Sequence, residues 1–344
     1  TFDILVANPP YSVSGFKSHL NLKNNNFNIL KNISNDGSEI ETLFIERIAQ
    51  LVKPRGVAAV ILPSTILTKN INSYISARQS LLYNFKLHGI TCFGKSTFGA
   101  TSTSTVVLFL EKYDEPPKRI SLIEDSVSNI LSNKNISIDS EDFKIKEAFL
   151  KHIKLNDEIF NKFVDGKENL DFWLNLDFFN EYLSEFYNSQ EYQTKITQKT
   201  FKNSSTIDQE KAIKKMFYES TKLLLKEKLL VFALTYNQQT IVVTAPEENK
   251  EQKRFLGYEW SARKGFEGIV TLKPGGKLYN EEDRYDDDTL AGLIRNAFNE
   301  KYYDVGNRVD YYHKSNLIEM IDFVKVSFDI QINTNIKEKI EYRD

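Results

Sequence analysis

The sequence predicts a doubly wound α/β sheet followed by a mainly helical extension, on three observations. An apolar run, Phe2-Asp3-Ile4-Leu5-Val6-Ala7, opens the chain and meets a stiff tetrapeptide, Asn8-Pro9-Pro10-Tyr11. Apolar runs then alternate with segments of helical period as far as Glu111, the pattern of strands separated by helices. After the polar break Asp114-Glu115-Pro116-Pro117-Lys118, aromatic residues crowd at mostly helical spacing. The expected division is 1–113 for the sheet and 114–344 for the extension.

Residues 2–7 read as a strand. Residues 12–37 are rich in Ser, Asn, Lys and Gly and read as a mobile loop, placed to act as a lid. Ser38 with Glu41 three positions on forms a capping box. It opens a helix over 39–52 with Ile40, Leu43, Phe44, Ile48, Leu51 and Val52 on one face, stopped by Lys53-Pro54-Arg55-Gly56. Val57 to Leu62 is a continuous apolar run ended by Pro63, which suits a strand buried on both faces. Asn70 is the expected cap of a second helix carrying Ile71, Tyr74, Ile75, Leu81 and Leu82. Residues 87–93 and 105–111 read as further strands. In the extension, Phe160, Phe163, Phe172, Trp173, Phe178, Phe179, Tyr182, Phe186 and Tyr187 predict a packed helical core. A long helix over 208–230 is expected to turn Ile213, Met216, Phe217, Leu223 and Leu224 inward. Residues 240–244 read as a short strand. Asp288 or Thr289 caps a last helix with Leu290, Leu293, Ile294, Ala297 and Phe298 on one face.

The tetrapeptide is the strongest chemical signal. In open α/β sheets ligands bind at the carboxyl ends of strands, where Asn8 follows Ala7. The two prolines fix φ near −65° and remove two backbone donors, and Asn8 is pushed towards an extended conformation by the proline after it. The turn therefore offers an amide oxygen and free carbonyls as acceptors beside the aromatic face of Tyr11. A flat ring bearing an exocyclic amino group fits such a place, and stacking on an aromatic is worth roughly 1–3 kcal/mol. The plainer alternative is a proline-rich turn after a strand.

Asn8-Pro9-Pro10-Tyr11 resembles the catalytic motif of amino-methyltransferases, above all the DNA adenine-N6 methyltransferases. The helix over 39–52 with its Lys-Pro-Arg-Gly end, the strand end Ile61-Leu62-Pro63, and the stretch from Phe98 to Val107 fall in that family's order. The resemblance implies a partial Rossmann-like methyltransferase sheet. It implies methyl transfer from S-adenosylmethionine to the N6 amino group of an adenine flipped out of duplex DNA. Asn8, Pro9, Pro10 and Tyr11 take the catalytic roles, with Tyr11 and Phe98 stacking on the base. Positioning supplies most of the effect in such chemistry. The same motif occurs in glutamine and ribosomal RNA methyltransferases, so a protein or RNA substrate is the alternative, as is an inert DNA-binding scaffold. Residues 256–268, with Gly276-Lys277-Leu278-Tyr279, resemble the C-terminal region of restriction-modification methyltransferases, the type I modification subunits and the fused type IIG enzymes. That resemblance implies a target-recognition domain or specificity subunit as partner. Lys17, Arg263 and Lys264 are candidates for phosphate contact; an exposed loop is an equal reading for the last two. In this family a glycine-rich turn for the cofactor precedes the tetrapeptide, and none precedes Asn8 here. The cofactor-binding residues are unassigned, the first strands of the sheet are expected from an N-terminal part or a partner chain, and the isolated chain is expected to be inactive. Pro274-Gly275-Gly276-Lys277 reads as a simple turn.

Composition narrows the field less. The 344 residues carry 45 basic and 47 acidic side chains, so overall charge does not advertise nucleic acid. Lysines do gather between Lys195 and Lys228, as a local basic face or a solvated helix face. A single cysteine, Cys92, excludes an intramolecular disulfide and argues for a reducing, cytoplasmic setting. His19, His88, His152 and His313 lack metal-ligand spacing. No apolar stretch approaches the ~20 residues that cross a bilayer.

Overall fold

The computed structural model describes residues 1–19, 27–69, 71–94, 103–132, 136–166, 172, 176–236, 238–246, 252, 255–260, 270–272, 276–283, 286, 289–301 and 312–316. The chain divides into two compact units, one of Thr1–Pro117 with Asn237–Asp344 and one of Lys118–Tyr236. The boundary between the units falls at Pro117/Lys118. The chain returns to the sheet unit after 236, where the sequence reading continued a single extension.

The first unit is built on a six-stranded sheet. Strand β1 (Phe2–Ala7) pairs in parallel with β2 (Val52–Pro63). The third strand in sequence is β3 (Phe85–Phe93), and β4 (Thr105–Lys112) lies antiparallel between β2 and β3. Two strands from beyond residue 236 complete the sheet: β5 (Gln239–Thr244), parallel to β3, and an edge strand (Tyr312–Asn316) antiparallel to β5. A separate antiparallel hairpin joins Tyr258–Trp260 to Val270–Leu272. β3 is buried along both faces, whereas β2 and β4 bury one face (Ala58, Val60, Leu62; Val106, Leu108, Leu110) and leave the other half-buried (Val57, Ala59, Ile61; Val107, Phe109). The run Val57 to Leu62, expected to be buried on both faces, is continuous because both faces carry apolar side chains, but only one of them is sealed.

Helix α1 is a single turn (Phe16–His19), and a 3-10 turn follows at Ile29–Asn32. The lid expected over 12–37 is therefore firmly packed at both ends, with Phe16, Ile29, Leu30 and Ile33 buried. Burying each such side chain contributes roughly 1.5–3 kcal/mol, which outweighs a Ser- and Asn-rich composition. Residues 20–26 lie outside the described residues.

Helix α2 (Ile40–Leu51) runs straight into β2. The capping box is not formed: the N-cap is Glu39, without a side-chain cap bond. The Lys-Pro-Arg-Gly segment lies inside β2 as a bulge. Phe2 stands opposite Val52 but Ile4 opposite Val57, and Arg55 takes a positive φ of 61°. Pro54 has no N–H for the ladder, so the extra residues loop out there. Gly56 fits because a Cβ would sit 2.8 Å from Val52 Cγ1 and 2.9 Å from the Lys53 carbonyl oxygen.

Helix α3 is a turn (Thr65–Thr68), and α4 (Asn72–Asn84) buries Tyr74, Ala77, Leu81 and Leu82. Its N-cap is Ile71; Asn70 lies outside the described residues.

In the second unit α5 (Pro116–Leu131), α6 (Glu141–His152), α7 (Asp157–Asp165), α8 (Asp177–Asn188), α9 (Gln190–Thr197), α10 (Lys199–Lys202) and α11 (Thr206–Thr235) follow one another. Side-chain caps set four of the described starts. The Ser140 hydroxyl accepts from Phe143 N, the Asn156 amide from Glu158 N, the Ser189 hydroxyl from Tyr192 N, and the Ser205 hydroxyl from Asp208 N. The aromatic crowd forms the expected core: Phe160, Phe163, Phe179, Tyr182 and Phe186 are buried, with Phe163 and Phe179 ring centroids 4.7 Å apart. Tyr187 falls off that stripe and is exposed, and Phe172 is exposed too; the side chains of Trp173 and Phe178 lie outside the described set. On α11, Phe217 is buried as expected but Leu223 is 65% exposed. The inward stripe is instead Phe217, Thr221, Leu225 and Leu229, four residues apart. Thr221 keeps its place there by donating to the Phe217 carbonyl.

The last helix, α12 (Leu290–Phe298), starts at Thr289, whose hydroxyl accepts from Gly292 N. Residues 287 and 288 lie outside the described set. It packs on β3 and β5, burying Leu293 and Ala297 with Ile241 and Val243. Its end is pinned by His88 of β3, whose Nδ1 faces the Ala297 carbonyl at 3.0 Å and whose Nε2 faces Glu111 Oε2 at 2.6 Å. Acceptors on both ring nitrogens favour the doubly protonated ring. Burial, helped by Lys86, disfavours it and prevails, holding the His88 pKa below its ordinary value.

Candidate active site

β1, β2, β3 and β5 share a carboxyl edge. Ala7 stands opposite Val60 near the end of β2, Pro63 opposite Thr105, Phe93 opposite Thr105, and Cys92 opposite Thr244. The tetrapeptide Asn8 to Tyr11 leaves β1 at this edge, and the connection from β3 to β4 also starts and ends there. Ser64 N donates to the Ser104 carbonyl at 2.9 Å, tying the ends of β2 and β4 together. Phe98 belongs to that connection but lies outside the described residues.

Within the tetrapeptide Asn8 is exposed, Pro9 buried, Pro10 exposed and Tyr11 half-buried. The asparagine amide is therefore not locked into the core. The Tyr11 hydroxyl donates to Asn8 Oδ1, and it also lies 3.4 Å from the Ile61 carbonyl oxygen of β2. The Pro9 carbonyl has no hydrogen-bond partner among the described residues. An amide oxygen has two lone pairs, so Asn8 Oδ1 keeps acceptor capacity beside the phenol. Burial, and then the charge of Glu41, raises the Tyr11 pKa above its ordinary value, so the phenol stays a donor at neutral pH.

The chain turns sharply after Tyr11. Ser12 has φ 51°, a left-handed conformation costing a non-glycine residue of order 1–3 kcal/mol. Ser12 N donates to Glu41 Oε2 at 3.1 Å, and the Tyr74 hydroxyl of α4 donates to Glu41 Oε1 at 2.5 Å. Tyr74 is likewise raised, by burial first and then by its bond to Glu41. One turn further along α2, the buried Glu46 accepts from Asn28 N at 2.7 Å and Ile29 N at 3.0 Å. Sequence reasoning missed both carboxylates as loop anchors. Glu41 was assigned to a capping box, whose letters are the same. The overlooked signal was an acidic side chain on the apolar stripe of a helix.

Of the candidates for phosphate contact, Lys17 donates to the Leu30 carbonyl at 3.2 Å and the Ile33 carbonyl at 2.8 Å, closing the 3-10 turn. Its charge is committed to carbonyls there. Arg263 and Lys264 lie outside the described residues. Cys92 is buried, and burial pushes its thiol up to about 12, so no thiolate nucleophile forms there. No cluster of metal-ligating side chains occurs among the described residues. No described helix is long and apolar enough to cross a membrane.

The arrangement suits an incoming amino group: two oxygen acceptors and an aromatic ring stand at an open sheet edge. The phosphate- or methionine-cradling strand–turn–helix of a nucleotide cofactor is a different matter. Gly276 and Gly257 of the described residues pack backbone to backbone, with no room between them for a ligand.

A family model described as N-6 DNA Methylase matches residues 1–184, just over half of the chain. No curated protein matches. Among solved structures, the chain is similar to the M protein of the type I restriction enzyme EcoKI, at 26% identity over 32% of this chain and 20% of that one, TM-score 0.26. A modification subunit of a putative type I restriction enzyme from Vibrio vulnificus YJ016 is 25% identical over 32% of this chain and 22% of that one, TM-score 0.26. The type IIG restriction endonuclease BpuSI is 31% identical over 22% of this chain and 9% of that one, TM-score 0.20. The match spans about a fifth of the length of the two type I proteins, and likenesses of this extent carry no argument about activity.

Proposed function

Because the chain belongs to the N-6 DNA methylase family, we propose that the tetrapeptide grips the exocyclic amino group of an adenine in duplex DNA for methylation at N6. Asn8 Oδ1 and the Pro9 carbonyl accept the two amino hydrogens, which leaves the nitrogen lone pair free to attack. Tyr11 stacks on the base and Phe98 is its proposed second wall. The target amino group is paired inside a duplex, so the base must be extruded, at a cost of a few kcal/mol. Stacking and the two hydrogen bonds offset that cost. S-adenosylmethionine supplies the methyl group when bound. This chain's described residues fit the accepting side of the reaction only, and the cofactor's cradle is assigned to none of them. We place the protein in a restriction-modification system, with a target-recognition domain or subunit as its partner, on the resemblance of residues 256–268 and 276–279.

The observation that carries this reading is the exposed Asn8 amide, pinned by the Tyr11 hydroxyl at a carboxyl sheet edge beside a Pro9 carbonyl that has no partner among the described residues. Asn8→Ala in the full-length protein is expected to lower methyl transfer to duplex adenine by about a hundredfold or more, the scale for losing one preorganised hydrogen-bonding group. Affinity for S-adenosylmethionine should stay near that of the parent. Transfer to ribosomal RNA or a protein glutamine in preference to duplex DNA, or equal loss of catalysis and cofactor binding, would reject the assignment.

A further inference from the structure

We infer that Glu41 is a positioning residue for this site: its carboxylate holds the turn after the tetrapeptide and so sets where Tyr11 and Asn8 stand. The inference rests on the amino-methylation reading above. Glu41 is 0% exposed. A buried carboxylate is costly unless its oxygens are satisfied, and both are, by Ser12 N and by the Tyr74 hydroxyl. Neither donor is cationic, and no ion pair among the described residues involves Glu41. A helix-terminal acid that merely complemented the helix dipole would sit in solvent. Glu41 instead reaches partners 29 and 33 residues away in sequence.

The consequence falls on the tetrapeptide. Ser12 follows Tyr11 directly and holds a left-handed φ of 51°. Its N–H must point into the protein at the carboxylate for that turn to persist. The turn aims the Tyr11 ring, whose hydroxyl is then shared between Asn8 Oδ1 and the Ile61 carbonyl. Helix α4 buttresses the carboxylate through Tyr74, so three elements converge on one oxygen pair. Glu46 provides an internal control. It is also buried on α2 and also has both oxygens bonded, but its donors are two backbone N–H groups, those of Asn28 and Ile29, away from the tetrapeptide.

The test compares Glu41→Gln, Tyr74→Phe and Glu46→Gln in the full-length protein, with thermal melts to show that each folds. Glu41→Gln keeps the shape but leaves one oxygen for two donors. Its kcat for duplex methylation is expected to fall about tenfold to a hundredfold, the scale of a misplaced catalytic group, with KM for duplex and cofactor affinity near parental. Tyr74→Phe should fall in the same direction by less. Glu46→Gln should lower the melting temperature yet keep kcat within about twofold of the parent, since misplacement penalties apply only at the reacting centre. A second readout does not need turnover. The ionisation of Tyr11, isolated as the absorbance difference between the protein and its Tyr11→Phe variant, should move towards the ordinary value near 10 in Glu41→Gln and stay put in Glu46→Gln. The inference is overturned if Glu41→Gln leaves kcat and the Tyr11 ionisation at parental values, or if Glu46→Gln reproduces both changes. If the parent methylates no duplex adenine, the proposed function fails, and the Tyr11 ionisation alone decides the role of Glu41.

Discussion

On β1, Phe2, Ile4 and Val6 are 52%, 71% and 77% exposed, whereas on β3, Leu87, Ile90 and Cys92 are 2%, 0% and 9% exposed. Both strands belong to one sheet and both read as apolar runs. β3 has neighbours on both sides and α12 packed on it; β1 has β2 on one side only. The strand that carries the tetrapeptide therefore contributes little to the core. The residues that follow it are held by directed hydrogen bonds, from the Tyr11 hydroxyl to Asn8 and from Ser12 N to Glu41, where the residues of β3 are held by close packing. Stability and the proposed chemistry fall to different strands of the same sheet.

The largest test of this contrast is a pair of truncations. Ile90→Ala is expected to cost about 2–5 kcal/mol in denaturant unfolding, the range for a buried large-to-small change. Ile4→Ala should cost no more than about 0.5 kcal/mol, as surface changes do. Equal losses would mean that β1 is buried in solution. Next comes Gly56→Ala at the bulge that sets the β1–β2 register. The new methyl meets Val52 Cγ1 and the Lys53 carbonyl, the latter backbone that cannot step aside. Overpacking of this kind costs about 1–3 kcal/mol, and amide exchange of β1 should rise more than that of β3.

A pH effect follows at the packed side. Burial holds the His88 pKa below its ordinary value, so the unfolded chain takes up a proton near pH 6.5 while the folded one does not. Stability is then full above about pH 6.5 and declines as pH falls below it, down to the folded pKa, where the loss stops. Melting curves of the parent should show that decline, and His88→Gln should flatten it. The smallest expected effect is at the open side: Ile4→Lys should change stability within about 0.5 kcal/mol yet reduce self-association measured by sedimentation, because a lysine blunts an exposed edge.

Much of this organisation was legible in the residues. The central strands were, because strands with apolar side chains on both faces leave unbroken apolar runs, and so was the turn of the tetrapeptide, because two prolines constrain it locally. Three features were not. Ser38 and Glu41 spell a capping box, but the tertiary demand of Ser12 and Tyr74 drew the glutamate inward. The Lys-Pro-Arg-Gly segment has the composition of a stop but became a bulge, since β1 continues to pair on either side of it. Leu223 outranks Thr221 in hydrophobicity, yet the four-residue spacing of Phe217, Leu225 and Leu229 put the threonine inside. Each miss arose where a distant partner, invisible to local pattern, decided the outcome.

Glu41 and Glu46 anchor Ser12 and Asn28 to a single helix, little more than one turn apart. The chain between those moorings leaves and returns to the same rigid rod. Its length is thereby uncoupled from the geometry of the turn: doubling an excursion of that kind adds only about 0.6 kcal/mol of closure entropy. Insertions there can vary the outer surface while the Asn8 and Pro9 oxygens keep their place.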